Sequence, residues 1–145
     1  MQIVPNKPAH LLRVVPQGAQ HGVSGELDRE TAKSLAYDGL AFTAVECGRV
    51  IGCAGIVPMW SGVGQAWAVL SDVALAHPIA LTRAVERALA RIEAEQGFRR
   101  VQASVAENHT DGRRWLAWLG FELEGMMCNY GPQGSGDYWL YGRAA

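Results

Sequence analysis

The chain has 145 residues, of which 49% are hydrophobic and 19% charged, and its formal net charge is −1. This composition is typical of a globular domain with an apolar core and excludes a disordered chain. The nearly neutral charge argues against a general nucleic-acid-binding protein, which is usually strongly basic. Because no apolar run approaches the length of a membrane span, we expect one domain over residues 1–145, with neither membrane nor nucleic acid as a partner.

Three cysteines, Cys47, Cys53 and Cys128, show no spacing typical of a metal site. An odd number of cysteines without a secretory signal fits a reduced protein of the cytoplasm. We therefore expect no bound metal and interpret the cysteines as small buried apolar residues.

The first half of the chain predicts two helices and three long strands. Residues 2–6 suit a short first strand, "PAHLLRVVP" a weak helix that ends at Pro16, and "GAQHGVSG" a mobile loop. "ELDRETAKSLAYDG" predicts a better helix that Gly39 ends. "LAFTAVECG" and "RVIGCAGIVPMW" predict two strands joined by a hairpin turn at residues 47–49, and "QAWAVLSDVAL" predicts the third long strand.

The second half begins with the clearest helix. Leu81, Val85, Leu89 and Ile92 recur at helical spacing, and Gly97 ends the helix. "RRVQASVAE" alternates as a strand does, and "NHTDGRRWLAWLG" predicts a short helix that ends at Gly120. We expect its N-terminal cap from Asn108, Thr110 or Asp111. With two final strands, "FELEGMMCNYG" and "GDYWLYGRA", the order predicts an α/β protein with a mixed α+β sheet covered by helices.

The segment "AENHTDGRRWLAWLGFELEG" resembles the Gcn5-related N-acetyltransferase (GNAT) superfamily. A strand ends in Asn108, a short helix ends in Leu119-Gly120-Phe121, and "FELEG" opens the next strand. The final "DYWLYGR" is similar to the last strand of that superfamily, and "AWAVLSD" before a helix is similar to small phage-encoded members. The resemblance covers nearly the whole chain. It implies a central twisted, mostly antiparallel sheet flanked by about four helices.

The resemblance also implies a cleft for acetyl-CoA where the third long strand splays from its neighbour. The pantetheine arm would pair with the backbone of that strand, like an added strand, and the pyrophosphate would lie at the N-terminus of the next helix. Backbone N–H groups near the acetyl group would stabilise the oxyanion formed when an amine attacks the thioester. The implied cofactor-binding residues are Leu70, Ser71, Val73, Ile79, Ala80, Leu81, Thr82, Arg83, Asn108 and Arg113.

Several of these residues also have a structural interpretation. Arg83, together with Arg87 and Arg91, forms a basic helix face that suits either phosphate binding or simple solvation. Asn108 suits either the pantetheine amide or a helix cap, and these two roles are compatible.

The chain departs from the superfamily at two places. The turn from Ala76 to Thr82 lacks the usual spaced glycines, and Pro78 has no N–H group to offer a phosphate. Leu116 stands where many relatives carry the tyrosine that protonates the departing thiolate. Tyr130 is our substitute for that acid, with Tyr138 and Tyr141 as further candidates from the last strands, where packing is the alternative role of a tyrosine.

Asp72 is the expected base that takes the proton of the amine, since burial at the end of the central strand would make its carboxylate a better proton acceptor. A role in capping a helix is an equally good interpretation of Asp72. Glu46, at the end of a strand, is a second candidate base.

Two functions follow from these patterns. The first is an acetyl-CoA-dependent N-acetyltransferase that moves an acetyl group directly to an amine of a small molecule or a protein. The second is a catalytically degenerate protein of the same fold that serves as a binding or structural protein, for example as a component of a phage particle or as a host-factor-binding protein. The sequence does not identify the acceptor. The exposed final strands are expected to allow a homodimer.

Overall fold

The computed structural model describes residues 1–20 and 27–144, which form seven strands and five α-helices. The strands are β1 (Gln2–Pro5), β2 (Ala41–Glu46), β3 (Arg49–Trp60), β4 (Val63–Leu70), β5 (Arg100–Ala106), β6 (Glu122–Met127) and β7 (Tyr138–Ala144). The helices are α1 (Pro8–Leu11), α2 (Arg29–Leu35), α3 (Asp72–Leu75), α4 (Pro78–Gln96) and α5 (Thr110–Trp118). A short 3₁₀ helix spans Pro132–Gly134 between β6 and β7.

All seven strands belong to one sheet in the order β1-β2-β3-β4-β5-β7-β6. Within the described residues, every neighbouring pair is antiparallel except β4 and β5, which run parallel. The predicted mixed, mostly antiparallel sheet is therefore confirmed. The hairpin predicted at residues 47–49 is also present, because β2 ends at Glu46 and β3 begins at Arg49.

The helices cover both faces of the sheet. Successive side chains of a strand point to opposite faces of the sheet. The last two residues of β4 show which helices pack on each face. Val69 belongs to a buried cluster with Leu11 and Ala32 of the α1–α2 side. Leu70 belongs to a cluster with Leu81 of α4. Helices α1 and α2 thus lie on one face and α4 on the other, where the largest cluster joins α4 to β5, α5 and β7.

Helix α4 is confirmed, and the apolar residues that recur at helical spacing form its buried face. Leu81, Leu89 and Ile92 are buried along one face. The helix ends at Gly97, whose φ of 66° is a conformation that glycine adopts easily. The N–H of Gly97 donates to Glu93 O at 3.1 Å and so satisfies a carbonyl of the last turn.

Several predicted boundaries are wrong. The helix expected to end at Gly39 ends at Leu35. The third long strand ends at Leu70 and does not continue to Leu75, because Ser71 caps the short helix α3: its hydroxyl accepts from Ala74 N–H at 3.3 Å and donates to Ile51 O at 2.6 Å. The cap of α5 is His109, without a side-chain capping bond. The predicted cap from a neighbouring polar side chain is therefore absent.

The N-terminal predictions are met in part. Strand β1 is confirmed, whereas α1 covers only Pro8–Leu11 of the predicted "PAHLLRVVP". Helix α2 begins after Asp28, whose carboxylate accepts from Thr31 N–H at 2.8 Å. The predicted mobile loop "GAQHGVSG" lies outside the described residues except for residues 18–20, which form a helical turn.

The cysteines differ in their surroundings. Cys53 is buried as predicted, and burial raises the pKa of its thiol to about 11. Cys47, at the tip of the β2–β3 hairpin, and Cys128, after β6, are exposed. The interpretation of all three as buried apolar residues is therefore wrong for these two.

The close approach of β3 to the start of β2 yields a stability prediction. A Cβ atom on Gly55 would lie 2.7 Å from Leu40 O and 2.9 Å from Ala41 Cα, both of which are backbone atoms that cannot rotate away. Gly55→Ala is therefore expected to lower the free energy of unfolding by about 1–3 kcal/mol, as overpacking does. Urea unfolding measures the change.

Gly125→Ala in β6 is the matched control, because nothing lies within 4 Å of its added methyl group. We expect a change within about 0.5 kcal/mol for this variant. Equal effects of the two substitutions would contradict the packing at Gly55.

Candidate functional site

Strands β4 and β5 are neighbours for only three residue pairs. These are Val63↔Arg100, Gly64↔Val101 and Gln65↔Gln102. Beyond these pairs, residues 66–70 of β4 remain paired with β3 on their other side. Residues 103–106 of β5 likewise remain paired with β7. The two strands therefore separate toward their C-terminal ends. We call the space between these end segments the β4–β5 cleft.

The backbone of β4 presents polar groups to this cleft. Ser71 N–H donates to Ile51 O at 3.0 Å, which makes that pair hydrogen-bonded across β3 and β4. Hydrogen-bonded pairs alternate along an antiparallel ladder, so the N–H and C=O groups of Leu70 and Ala68 point away from β3. They face the β4–β5 cleft, where no strand within residues 1–20 and 27–144 pairs with them.

A cluster of polar side chains lies where the strands part. Gln102 Nε2 donates to Gln65 Oε1 at 3.0 Å, so β4 and β5 are tied by side chains at their last register pair. Arg100 Nε donates to Gln102 Oε1 at 3.2 Å, and its two terminal nitrogens donate to the Glu124 carboxylate at 2.7 and 2.6 Å. This chain of bonds fixes the closed end of the cleft.

At the open end, a polar segment before α2 lies against β4. Gln20 Nε2 donates to Ala68 O at 2.8 Å, and Gln20 Oε1 accepts from Leu70 N–H at 3.0 Å. Gln17 N–H donates to Leu70 O at 2.8 Å. These contacts could not be predicted, because two glutamines in or beside a glycine-rich stretch indicate a loop without indicating the strand that it contacts.

The three strand residues predicted to bind the cofactor lie in different surroundings. Leu70 directs its backbone groups into the cleft. Ser71 is buried, and both its N–H and its hydroxyl bond Ile51 O. Val73 lies on α3 and is 46% exposed.

The start of α4 offers few free amides. Pro78 has no N–H, and Leu81 N–H donates to His77 O at 2.9 Å. The N–H groups of Ile79 and Ala80 belong to the first turn, where a helix provides no internal acceptor. The preceding amides of Ala76 and His77 are bonded to carbonyls of α3.

Among the polar side chains predicted at this helix start, Arg83 has no hydrogen-bond or ion-pair partner within the described residues, and it is exposed. The Leu81 side chain is buried in the core. Thr82 Oγ1 accepts from Trp115 Nε1 at 3.1 Å, a bond that joins α4 to α5.

The predicted residues of the following crossover have structural contacts. Arg113 Nε donates to Tyr141 OH at 3.1 Å, and its guanidinium carbon lies 4.7 Å from the centre of the Trp139 ring. Asn108 is exposed, and its carbonyl accepts from Thr110 N–H at 3.0 Å. Arg113 is thus held against β7, whereas the Asn108 side chain is accessible.

The predicted acid and base are both exposed. Asp72 lies on the first turn of α3, so the burial that we expected around its carboxyl group is absent. Tyr130 is 53% exposed in the loop after β6, and its ring centre lies 5.3 Å from that of Tyr138. Burial, with a smaller contribution from Tyr130, raises the pKa of Tyr138. Leu116 packs against the core.

The other titratable groups near helix starts have their own partners. Glu46 lies 2.9 Å from the Met1 amino group and 3.6 Å from His77 Nε2, and the Met1 contact lowers the pKa of Glu46. Burial lowers the pKa of His109. Within the described ranges, no three His, Cys, Asp or Glu side chains are grouped as a metal site.

A cavity of about 470 Å³ opens near the β2–β3 hairpin. Arg13, Arg49 and Glu46 supply its charges, and Ser71 and Val73 reach it from the end of β4. None of its lining residues comes from β5, so the cavity is separate from the β4–β5 cleft. As for membranes, every helix within residues 1–20 and 27–144 is too short or too polar to span one.

No protein-family model matches the sequence, and a search of curated proteins finds no match. Solved structures do match the fold. A GNAT-family acetyltransferase from Streptococcus pneumoniae matches with a TM-score of 0.70 at 18% identity, covering 99% of this chain and 99% of that one. The ribosomal-protein-alanine N-acetyltransferase from Brucella melitensis matches with a TM-score of 0.72 at 12% identity, covering 100% of both chains.

A variant of the spermidine N-acetyltransferase from Vibrio cholerae matches with a TM-score of 0.69 at 14% identity, covering 99% of this chain and 95% of that one. The chain has the GNAT fold. The fold expected from the C-terminal motifs is therefore confirmed. The expected parting of the third long strand from its neighbour is present in β4 and β5. At identities of 12–18%, the similarity shows a shared fold. The substrates named for those proteins are theirs and are not assigned to this chain.

Proposed function

We propose that the chain is an acetyl-CoA-dependent N-acetyltransferase that moves the acetyl group directly to an amine of a small molecule or protein. The observation that supports this most is the β4–β5 cleft, with the backbone groups of Ala68 and Leu70 directed into it, in a chain with the GNAT fold. An unpaired strand edge is suited to an extended ligand that carries amides, because such a ligand pairs with it like another strand.

The donor set fits coenzyme A. The pantetheine amides would pair with the backbone of Ala68 and Leu70. The amides of Ile79 and Ala80 point out of the N-terminus of α4, where the helix dipole favours a phosphate. Arg83 adds an exposed guanidinium on the second turn. This set is smaller than a glycine-rich turn would supply, since Pro78 removes one donor.

The remaining predicted residues have supporting positions in this proposal. The buried Ser71 fixes the end of β4 and the start of α3, and Leu81 and Thr82 hold α4 against the core and α5. Val73 and Asn108 are exposed and free to contact the ligand. Arg113 would act by holding α5 against β7, since its guanidinium is already engaged.

The chain's own contribution to the reaction is positioning and charge stabilisation. The amine nitrogen attacks the thioester carbonyl, the carbon–sulfur bond breaks, and coenzyme A leaves as the thiolate. The N–H of Ala68 faces the cleft and would donate to the oxygen that becomes negative during the attack. Asp72 would take the amine proton, and Tyr130 would return a proton to the thiolate. Both side chains are exposed and accessible to a ligand.

A second function is favoured by specific contacts. Trp115 bridges α4 and α5 through Thr82, Gln20 bonds the edge of β4, and the turn before α4 has no glycine. The first engages the Thr82 hydroxyl, the second occupies backbone groups of β4, and the third leaves fewer backbone amides for a phosphate. They suit a protein of the GNAT fold that has lost catalysis and serves as a binding or structural protein, such as a component of a phage particle or a host-factor-binding protein.

Ligand binding separates the two functions. If the chain is an acetyltransferase, acetyl-CoA and coenzyme A will raise the melting temperature in proportion to the logarithm of their concentration above the Kd, because they bind the native state. Adenosine monophosphate at the same concentration is the control for unspecific binding. The absence of any shift at millimolar coenzyme A would reject the enzyme and favour the binding protein.

Arg83 provides the test of the phosphate site. Arg83→Ala is expected to weaken coenzyme A binding by about two- to fivefold, the effect of one exposed ion pair, and to leave pantetheine, which lacks phosphates, unaffected. Arg87→Ala, one turn further along the same exposed face, is the matched control and should change neither affinity. Calorimetric titration gives both affinities. Equal weakening of coenzyme A and pantetheine by Arg83→Ala would reject the contact.

Asp72 and Tyr130 are tested by turnover. The acceptors to assay are polyamines, amino acids and peptide N-termini, because spermidine and ribosomal-protein alanine are named for proteins of similar fold. With the acceptor that releases coenzyme A fastest, Asp72→Asn is expected to lower kcat about 100-fold, as loss of a general base does, without changing the Kd of coenzyme A. Tyr130→Phe should lower kcat in the same assay. A variant that keeps the wild-type kcat removes its residue from the mechanism.

A further inference from the structure

The segment Gln17–Gln20 is bonded to the β5-facing edge of β4 at residues 68–70, beyond the three pairs that β4 forms with β5. Gln20 contributes a donor and an acceptor from its side chain, at 2.8 Å from Ala68 O and 3.0 Å from Leu70 N. Gln17 contributes its backbone N–H to Leu70 O at 2.8 Å. Three consecutive cleft-facing groups of β4 are therefore satisfied from outside the sheet.

The Gln20 side chain has the same chemistry here as a peptide group of an added strand. A carboxamide carries an N–H donor and a C=O acceptor, and Gln20 uses them on groups two residues apart, as a paired backbone does. Internal bonds shape this segment: Gln20 N–H donates to Gln17 O at 2.9 Å, and Gln17 Nε2 donates to Gln20 Oε1 at 3.1 Å. Gln17 is only 8% exposed, so the segment is anchored at that end.

The same backbone groups are those that a pantetheine arm would need. Ala68 O and Leu70 N–H cannot bond the Gln20 carboxamide and an amide of the ligand along the same direction. We propose that the Gln20 side chain is a latch that occupies the ligand-binding edge of β4 and must withdraw before acyl-CoA can bind. This inference rests on the proposed function, because it takes an acyl-CoA thioester as the ligand of the cleft.

The latch is built to open without unfolding the protein. Its two bonds to β4 are neutral and come from a side chain that is only partly buried, so its loss leaves the core clusters intact. Two such bonds favour the latched form over the open form by a factor on the order of ten. The apparent Kd of a ligand that needs the open form is raised by the same factor.

Removing the latch should therefore tighten binding. Gln20→Ala is expected to lower the Kd of coenzyme A about three- to tenfold in calorimetric titrations. Adenosine 3′,5′-bisphosphate, which has phosphates but no pantetheine, should bind Gln20→Ala and wild type equally. Gln96→Ala, on an exposed side chain at the end of α4, is the matched control and should leave both affinities unchanged.

Gln20→Glu is the second variant and keeps the size of the side chain. Its carboxylate accepts from Leu70 N–H but cannot donate to Ala68 O, so we expect a Kd between those of wild type and Gln20→Ala. Amide exchange of Leu70 is the readout that does not depend on any ligand. It should be faster in Gln20→Ala than in wild type, because the Leu70 N–H loses its acceptor.

The outcomes are distinguishable. If wild type binds coenzyme A and Gln20→Ala binds it equally or more weakly, the latch is overturned and the proposed function stands. Weaker binding would make Gln20 a contact of the ligand. If neither protein binds coenzyme A, the proposed function fails and the latch fails with it. Unchanged amide exchange of Leu70 in Gln20→Ala overturns the latch whatever the affinities show.

Discussion

Two neighbouring parallel strands can separate within a sheet and stay ordered only if each has a second neighbour. That neighbour bonds the backbone groups that point away from the cleft. Here β3 supports β4 up to Leu70, and β7 supports β5 up to Ala106. With both outer ladders complete, the pairing between β4 and β5 ends after three residues without loss of either strand. The β4–β5 cleft, and the polar edge that β4 presents to it, depend on this arrangement.

Side-chain bonds among α4, α5 and β7 hold the elements around the β4–β5 cleft in place. Trp115 donates to Thr82 and joins α5 to α4 beside the cleft. At the other end of α4, the Arg143 side chain bonds Glu93 at 3.0 Å and also the carbonyl of Leu119, so that β7, α4 and the end of α5 are tied together. The frame around the cleft is therefore fixed by side-chain bonds, whereas the contact of Gln20 with β4 is the part that a ligand can replace.

Much of this fold could be predicted from local patterns. The spacing of Leu81, Leu89 and Ile92 indicates α4 because the burial of one helix face repeats with the helical period. The alternation of Val101, Ala103 and Val105 indicates β5 for the corresponding reason in a strand. Together with the motif around Leu119-Gly120-Phe121, these elements were sufficient to predict the GNAT fold and the parting of β4 from β5.

The errors concern choices that local sequence leaves open. Ser71 suits the end of a strand and the cap of a helix equally well, and its burial against Ile51 O decides for the cap. Arg113 suits a phosphate, but its guanidinium lies over the Trp139 ring and donates to the Tyr141 hydroxyl. Gln20 meets Ala68 across 48 residues of sequence. Such a contact depends on tertiary placement, which no local pattern encodes.

The most direct test of the central claim is residue-resolved amide exchange with and without saturating acetyl-CoA, whose thioester oxygen is the expected acceptor of the Ala68 N–H. If the ligand lies along the open edge of β4, exchange at the N–H of Ala68 should slow by about tenfold or more, as for an amide that gains a hydrogen bond. The adjacent N–H of Val69, which faces β3 in the register Cys53↔Val69, should be unchanged. Bound acetyl-CoA that leaves Ala68 exchange unaltered would contradict the assignment of the β4–β5 cleft as its site.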